Sequence, residues 1–226
     1  MSGVKLSGAI MRLIFAATAA AAAFAAAACA QEAGDFAEPA GPDAALPDGL
    51  SQAVFASGCF WCTEADFEPL DGVVEVVSGF AGGEEENPEY YAVVRGETGH
   101  AEAARVIYDP SRISYEALLD HYWVNVDPFD GEGQFCDRGA SYAPFIFPAD
   151  EAQSEAARES LSEVEARFGR EVAVEIEPLD MFWPAGAEHQ DFKENNPVRY
   201  SRYRFGCRRD QRLRDVWGED ALGGAP

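Results

Sequence analysis

Two cysteines three positions apart, Cys59 and Cys62, enclose an aromatic pair, Phe60 and Trp61. A C-x-x-C spacing alone is compatible with a redox pair or with half of a metal site. A thiolate is also a strong nucleophile, so the chemistry open to this motif is redox transfer, acyl transfer or metal binding. The rest of the chain decides among these three.

The position of Cys59 favours a reactive thiol. Residues 51–57 form an apolar run typical of a strand, Gly58 interrupts it, and the apolar spacing over 60–70 predicts an amphipathic helix. A thiol at the first turn of a helix faces unpaired backbone N–H groups and the positive end of the helix dipole. Both favour the thiolate, which predicts Cys59 as the nucleophile.

Metal binding and acyl transfer have no further support in the sequence. A zinc site needs a second close pair of cysteines or histidines at ligand spacing, and a Cys–His nucleophile needs a positioned histidine. The other candidate residues are isolated from one another along the chain: Cys29, Cys136, Cys207, His100, His121 and His189. We therefore predict a redox role for the cysteines and no metal.

Strand and helix patterns alternate through the middle of the chain. Beyond 51–57 and 60–70, the predicted strands are 72–80, 101–108, 142–147 and 171–177, and the predicted helices are 114–123, 150–168 and 187–195. This order predicts an α+β fold, namely a two-layer α/β sandwich with a mixed, largely antiparallel sheet. Its core is expected to be a ferredoxin-like plait.

Residues 1–30 have the pattern of a secretory signal. Two basic residues precede an apolar stretch over 13–28, which is shorter than a typical membrane span. Cleavage after Ala28 would leave Cys29 for lipid attachment, and ordinary cleavage would precede Gln31. Both routes predict an exported protein, in the periplasm or lipoprotein-anchored in the cell envelope.

Composition divides the remainder into three parts. Residues 31–50 are rich in Ala, Pro, Gly, Asp and Glu, which predicts a flexible linker. Residues 51–218 are the predicted folded domain, and 219–226 are a predicted disordered tail. The net charge of −23 disfavours nucleic acid and anionic membrane surfaces as partners. We expect a monomer that reaches the membrane only through an N-terminal lipid anchor.

Several sequence blocks in the predicted domain share an order and spacing with a known family. The first block is 58–64, in which Gly58-Cys59-Phe60-Trp61 is followed three residues later by Glu64. The others are Asn87-Pro88-Glu89-Tyr90, 96–102, Tyr108-Asp109-Pro110, 134–139 together with Tyr142, and 187–192. The family that these blocks resemble is the A-type peptide-methionine sulfoxide reductases. The resemblance spans Val54 to Trp217, which is nearly the whole predicted domain.

The resemblance implies a route for reducing methionine sulfoxide. The thiolate of Cys59 would attack the sulfoxide sulfur, and a buried, protonated Glu102 would donate a proton to the sulfoxide oxygen. Tyr90 and Tyr142 would orient and polarise the same oxygen through their hydroxyl groups, and Asp137 would fix the substrate or a water. The products would be methionine and a sulfenic acid at Cys59.

The same resemblance implies the substrate and the reductant. Phe60 and Trp61 would wall a small apolar pocket for the substrate's methyl group. The substrate would be the S epimer of methionine sulfoxide, free or in proteins. No cofactor is expected, and an external thioredoxin-like thiol would restore the enzyme. Ala143 and Pro144 replace the polar pair usual in the family, which changes the local substrate contacts.

A second thiol must condense with the sulfenic acid, and three are available. Cys207 lies in the C-terminal part of the chain beside arginines whose charge lowers a thiol pKa, and it is the favoured resolving cysteine. Cys136 adjoins the predicted active-site aspartate. Cys62 lies one helical turn after the nucleophile, where many family members have glycine. All three are retained as candidates.

Two other classes of function are compatible with the motif. A general thiol–disulfide oxidoreductase using Cys59 and Cys62 would reduce disulfides and leave methionine sulfoxide unchanged. A non-catalytic envelope module, tethered by lipid, would use its cysteines only for structure. Such a module would have no reactive thiol.

Overall fold

The structure is a computed structural model, and it describes residues 36–223. Within this range the chain forms eight strands, seven α-helices and three short 3₁₀ helices. The strands are β1 Ser51–Ser57, β2 Val73–Ala81, β3 Ala101–Tyr108, β4 Gly133–Gln134, β5 Asp137–Arg138, β6 Pro144–Phe147, β7 Glu175–Ile176 and β8 Trp183–Pro184. The α-helices are α1 Phe60–Phe67, α2 Tyr90–Val94, α3 Tyr115–Val124, α4 Glu151–Phe168, α5 Phe192–Asn195, α6 Pro197–Gly206 and α7 Arg209–Trp217.

The main sheet has six strands in the order β7-β6-β1-β3-β2-β8. Strand β1 pairs antiparallel with both β3 and β6, β2 pairs antiparallel with β3 and β8, and β6 pairs parallel with β7. The inner strands follow the chain order β1-α1-β2-β3-α3-β6, which is the ferredoxin-like plait. The predicted α+β fold with a mixed, largely antiparallel sheet is confirmed.

Both faces of the sheet are buried, and successive residues of each strand point to opposite faces. Ala53 and Phe55 of β1 pack with α1, α3, α4 and α7 in the larger core. Val54 and Ala56 pack on the other face with Phe182 and its neighbours. A polar side chain on an inner strand is therefore buried whichever face it points to, so a site built on these strands is shielded from solvent.

The predicted element boundaries hold where the chain has a clear start or stop signal. Strands β1 and β3 match the predictions, and Ser114 caps α3 by accepting from Ala117 N–H. Helix α1 ends at Phe67, three residues before the predicted end, because Pro69 has no backbone N–H with which to continue the helical hydrogen bonds. Of the strand predicted over 171–177, only the two residues of β7 are in a strand.

The predicted flexible linker is wrong for 36–50. Ala40 forms a two-way backbone bridge with Phe182, at 3.0 and 2.9 Å, and is buried. Gln52 donates to the carbonyl of Gly41 at 2.9 Å, and Arg105 donates to that of Phe36 at 3.2 Å. This segment covers the second face of the sheet, so hydrogen bonds and a few apolar contacts order a stretch whose composition alone suggests a coil.

The predicted disordered tail is wrong for 219–223. These residues belong to a 3₁₀ helix, Gly218–Gly223, in which Ala221 packs into the larger core and Asp220 pairs with Arg167 at 2.7 Å. The predicted signal over 1–30, the first part of the linker and residues 224–226 lie outside the described residues. Among the residues that are described, no helix is both long enough and apolar enough to span a membrane.

A buried arginine joins the C-terminal helices to the strand that leads into the site. Arg209, 2% exposed, donates to the carbonyls of Ser57 at 2.9 Å and Asn125 at 2.7 Å. It also pairs with Asp66 of α1 at 3.2 Å, and Asp66 pairs with Arg204 at 2.7 Å. The guanidinium therefore fixes α7 against β1, α1 and the end of α3.

Replacing this arginine should destabilise the domain. We expect Arg209→Met to lower the free energy of unfolding by about 3 kcal/mol, because it leaves buried acceptors without a donor. Urea unfolding measures the loss. Arg158→Met is the matched control, since Arg158 is 61% exposed in its pair with Glu151, and it should change stability by less than about 0.5 kcal/mol. Equal effects would contradict this role of Arg209.

Candidate active site

The turn between β1 and α1 places Cys59 at the N-cap of the helix, with 6% of its surface exposed. Gly58 has φ of +90°, and a Cβ atom there would lie 2.6 Å from the Cβ of Gln134. Only glycine permits both the backbone angle and this close approach. Gln134 in turn holds its loop through the N–H and carbonyl of Asp127, both at 2.9 Å. The turn therefore brings the β4–β5 hairpin against Cys59.

Glu102 lies on β3 beneath the first turn of α1 and is 1% exposed. Its Oε2 accepts from the N–H of Phe60 at 3.0 Å, and Tyr142 interacts with the same carboxyl group. Burial raises the pKa of Glu102 to about 8, so the carboxyl group is protonated at neutral pH. The structure thus places an acid against the backbone of Phe60, the residue that directly follows the predicted nucleophile.

Two tyrosines face this pair. Tyr90 is the first residue of α2, and Tyr142 ends the 3₁₀ helix Ala140–Tyr142. Each is half-buried and lies close enough to Glu102 and Cys59 for their charges to influence it. Burial raises the pKa of both phenols above the ordinary value. Both hydroxyl groups are therefore neutral and can donate a hydrogen bond.

The two aromatics of the motif differ in exposure. Phe60 is fully buried and packs beneath the site, with its ring 6.2 Å from that of Tyr90. Trp61 keeps part of its surface exposed and stacks on Phe192 at 3.7 Å. Its indole N–H donates to Nδ1 of His189 at 3.2 Å, which gives that histidine a positioning role. Trp61 is therefore the motif's exposed wall.

Asp137 and Tyr203 close the site from the opposite side. Asp137, on β5, is half-buried, and its pKa is raised by that burial. It accepts a hydrogen bond from the hydroxyl of Tyr203 on α6. The side chain of Tyr203 also interacts with the thiol of Cys59. The ring of Tyr203 meets Trp61 edge-on at 5.8 Å. Asp137 is thus connected to the nucleophile through a tyrosine.

Tyr203 was not predicted from the sequence. The signals for its helix were available, because Pro197 is well suited to the first helical position and Tyr200 and Tyr203 share a face at i, i+3 spacing. Nothing in the local pattern indicated that this face would meet Cys59, since the two residues are far apart in the chain.

The thiols of Cys59 and Cys62 are free and in contact with each other. Burial raises the pKa of Cys59 well above its ordinary value, and the neighbouring Cys62 and Glu102 add to this. The expectation that the helix N-terminus favours the thiolate is therefore not met in the resting site, where desolvation outweighs the dipole. The contact with Cys59 lowers the pKa of Cys62, which is 1% exposed.

Cys207, the favoured resolving cysteine, is bonded to Cys136 in this structure, with a Cα–Cα distance of 4.8 Å. Cys136 is exposed on the β4–β5 hairpin, and Cys207 follows α6. The disulfide links the two elements that carry Asp137 and Tyr203. The free thiol adjacent to Cys59 is therefore Cys62.

Two groups of possible metal ligands occur among the described residues. One consists of Cys136, Asp137 and Cys207, whose two sulfurs are committed to the disulfide. The other joins Asp191 and Glu68 to Glu64, whose Oε1 accepts from the N–H of Asp191 at 3.0 Å. Burial raises the pKa of Glu64 to about 8.

Comparison with known proteins agrees with this geometry. The model of the family described as peptide methionine sulfoxide reductase matches residues 51–221. The peptide methionine sulfoxide reductase MsrA 2 of Rhizobium meliloti is 44% identical over 172 residues, 76% of this chain and 86% of its own. The MsrA 2 of Caulobacter vibrioides is 46% identical over 167 residues, covering 74% of this chain and 85% of its own.

Solved structures show the same similarity. Methionine sulfoxide reductase A of Corynebacterium diphtheriae matches with a TM-score of 0.62 and 31% identity, over 67% of this chain and 77% of its own. Reduced Mxr1 from Saccharomyces cerevisiae matches with a TM-score of 0.64 and 29% identity, over 68% and 89%. With its buried acid, its paired thiols and these matches, the chain belongs to the peptide methionine sulfoxide reductase family.

Proposed function

We propose that this protein reduces methionine (S)-sulfoxide, free or in proteins, to methionine. The observation that carries the proposal is the placement of a buried, protonated Glu102 against the turn that holds Cys59. The carboxyl group accepts from the N–H of Phe60 at 3.0 Å, and its pKa is about 8. A thiol and an acid in one desolvated site can act on the two ends of a polarised S–O bond.

In the first step, Cys59 attacks the sulfoxide sulfur while Glu102 protonates the oxygen. Tyr90 and Tyr142 donate hydrogen bonds to the same oxygen. Asp137, which accepts from the hydroxyl of Tyr203, fixes the substrate. The substrate sulfur gains two electrons and leaves as methionine. Cys59 gives up its thiol proton as it attacks, and it loses two electrons when the S–O bond of the substrate breaks and the oxygen passes to its sulfur as a sulfenic acid. The proton released by Cys59 replaces the one that Glu102 donated. The substrate's methyl group packs against Trp61, with Phe60 behind it.

The activity is tested with resolved epimers. Each epimer of N-acetylmethionine sulfoxide is incubated with the protein and dithiothreitol, and methionine formation is measured by chromatography. We expect turnover of the S epimer and none of the R epimer. Absence of turnover with both, together with reduction of a model disulfide, would instead identify a general thiol–disulfide oxidoreductase.

We propose that Cys62 resolves the sulfenic acid. Its thiol contacts that of Cys59, whereas Cys207 is bonded to Cys136. Condensation of the Cys62 thiol with the Cys59 sulfenic acid forms a disulfide and releases water, so atoms and electrons balance. The positive charges of Arg209 and Arg204 favour the thiolate of Cys62, which assists the attack.

The Cys62→Ser variant should therefore stop at the sulfenic acid. Without a reductant we expect one methionine per chain and a Cys59 adduct with dimedone, detected by mass spectrometry. The wild type should release the same amount of methionine and form no adduct, because the disulfide has replaced the sulfenic acid. If the variant instead formed a Cys59–Cys207 disulfide as fast as the wild type forms its Cys59–Cys62 disulfide, Cys207 would be the resolving cysteine.

We also propose a setting for this activity. An external thioredoxin-like dithiol reduces the disulfide, and no bound cofactor is needed. The signal-like pattern over 1–30 supports export to the periplasm or attachment to the envelope by lipid, and it suggests repair of oxidised envelope proteins. Expression of the full chain followed by cell fractionation tests this location.

A further inference from the structure

Helix α6 presents two unpaired arginines beside the site. The helix, Pro197–Gly206, contains three arginines and no acidic residue, in a chain whose net charge is −23. Arg204 pairs with Asp66 at 2.7 Å. Arg199 and Arg202 are exposed, and neither has a hydrogen bond or an ion pair with another described residue. Because they are three positions apart, these two cations share one face of the helix.

Arg199 lies at the edge of the aromatic stack that forms the exposed wall of the site. The rings of Trp61 and Phe192 are stacked at 3.7 Å, with 6° between their planes. The guanidinium carbon of Arg199 is 5.5 Å from the centre of the Trp61 ring and 5.3 Å from that of the Phe192 ring. A cation above the outer face of one ring would be much farther from the other. The nearly equal distances therefore place the guanidinium beside the stack.

The charge of Arg199 also reaches the polar side of the pocket. Burial raises the pKa of Tyr90 and lowers that of His189, and the positive charge of Arg199 acts on both groups. The rings of these two residues are 4.3 Å apart, and His189 accepts the indole N–H of Trp61 at 3.2 Å. A carboxylate oxygen of Glu188 lies 3.9 Å from Nε2 of His189 and is not within ion-pair distance of Arg199. Arg199 is thus an unpaired cation at the rim of the substrate pocket.

A shallow groove of about 390 Å³ begins at Arg199. Its other lining residues are Asn196, Pro197, Val198 and Arg202. Val198 is 64% exposed, so the groove offers an apolar contact and a second cation to a chain that leaves the pocket. In a peptide substrate, the residue next to the methionine sulfoxide has its Cα atom only about 3.8 Å from that of the methionine. Its side chain is therefore within reach of the guanidinium.

We propose that Arg199 selects protein substrates in which an acidic side chain adjoins the methionine sulfoxide, by binding that carboxylate at the rim of the pocket. This inference rests on the proposed reductase function and adds a specificity for the sequence around the oxidised residue. A guanidinium can donate two parallel hydrogen bonds to a carboxylate. Contact with two rings restricts the arginine side chain, which lowers the entropy cost of binding. The net negative charge of the chain repels acidic peptides, so a local cation is needed to bind them.

Matched peptides test the selection. Acetylated, amidated pentapeptides have the S epimer of methionine sulfoxide at the centre, Glu, Gln or Lys at both neighbouring positions, and Ala at the ends. The value of kcat/KM is measured for each peptide with dithiothreitol as reductant. For the wild type at low salt we expect the Glu peptide to exceed the Gln peptide about fivefold, the size of one exposed ion pair, and the Lys peptide to fall below both. The preference should disappear at about 1 M salt, where the Debye length is about 3 Å.

Variants at Arg199 test its part in the selection. Arg199→Met should remove the preference for the Glu peptide, and Arg199→Glu should favour the Lys peptide instead. Arg199→Lys should retain a preference for the Glu peptide, because the charge remains. Arg158→Met is the matched control, since it removes the same charge from an exposed position on α4, and it should keep the wild-type ratio. Each ratio compares two substrates of one protein sample, so it does not depend on the fraction of that sample that is folded.

Equal kcat/KM values of the wild type for the Glu and Gln peptides would overturn the inference and leave the reductase function intact. The wild-type preference persisting in Arg199→Met would do the same. A preference for N-acetylmethionine sulfoxide over its amide, with none among the pentapeptides, would assign the guanidinium to the α-carboxylate of the substrate and would also overturn the inference. Turnover of none of these compounds would overturn the proposed function, and the inference with it.

Discussion

The Cys59→Ser variant should release no detectable methionine from the S epimer, with kcat/KM reduced by on the order of 10⁶, as expected when a nucleophile is removed. A serine hydroxyl is a far weaker nucleophile toward sulfur and cannot form a sulfenic acid. Chromatography of methionine, with dithiothreitol as reductant, measures the loss. The buried serine should fold normally, since it replaces a side chain of similar size.

The Cys62→Ser variant is the matched control, because it makes the same substitution one helical turn away. It should still release one methionine per chain without reductant. Equal loss of the first methionine in both variants would indicate disruption of the site as a whole, and it would contradict the assignment of Cys59 as the attacking thiol.

The Glu102→Gln variant should reduce kcat/KM by about 10²–10⁴, the usual contribution of a general acid. The amide keeps the shape and accepts from the Phe60 N–H, but it has no acidic proton for the oxygen. The pKa of Glu102 is about 8, so in the wild type kcat/KM should fall as the pH rises through 8 and the carboxyl group ionises. The variant should lack this decrease.

Stability gives a second test of the same group. Burial raises the pKa of Glu102 from about 4.5 to about 8, so the folded state binds the proton more tightly than the unfolded state. Its contribution to stability is complete below pH 4.5 and is lost as the pH rises through 8. Glu102→Gln should therefore resist unfolding at pH 9 at least as well as the wild type. A control, Glu97→Gln, changes an exposed carboxyl group and should change neither the pH profile of kcat/KM nor the stability.

The sequence was sufficient to predict the central part of the fold. The strand and helix patterns act over a few residues, and Ser114 and Asp150 cap the helices that begin after them. The resemblance to the family assigned Cys59, Glu102, Tyr90, Tyr142 and Asp137 to one site, and the structure brings their side chains together. Local physics and motif spacing agree in this region.

The remaining features depend on contacts between distant parts of the chain. The segment 36–50 has the composition of a coil and is ordered by Phe182 and Gln52, which no local pattern reveals. Glu102 follows a strand pattern that predicts one exposed face, and it is buried because both faces of the sheet are covered. The Cys136–Cys207 pairing follows from how α6 packs on the β4–β5 hairpin.

In the proposed reaction, each methionine released takes two electrons from Cys59, and Cys62 is the resolving thiol. The direct test begins with protein in which the Cys136–Cys207 disulfide is intact and Cys59 and Cys62 are free, as in the structure. Excess S epimer is added without reductant, methionine is counted, and the disulfides are mapped by mass spectrometry. We expect one methionine per chain, loss of both free thiols and a new Cys59–Cys62 disulfide. Release of methionine with Cys59 still a free thiol would contradict it.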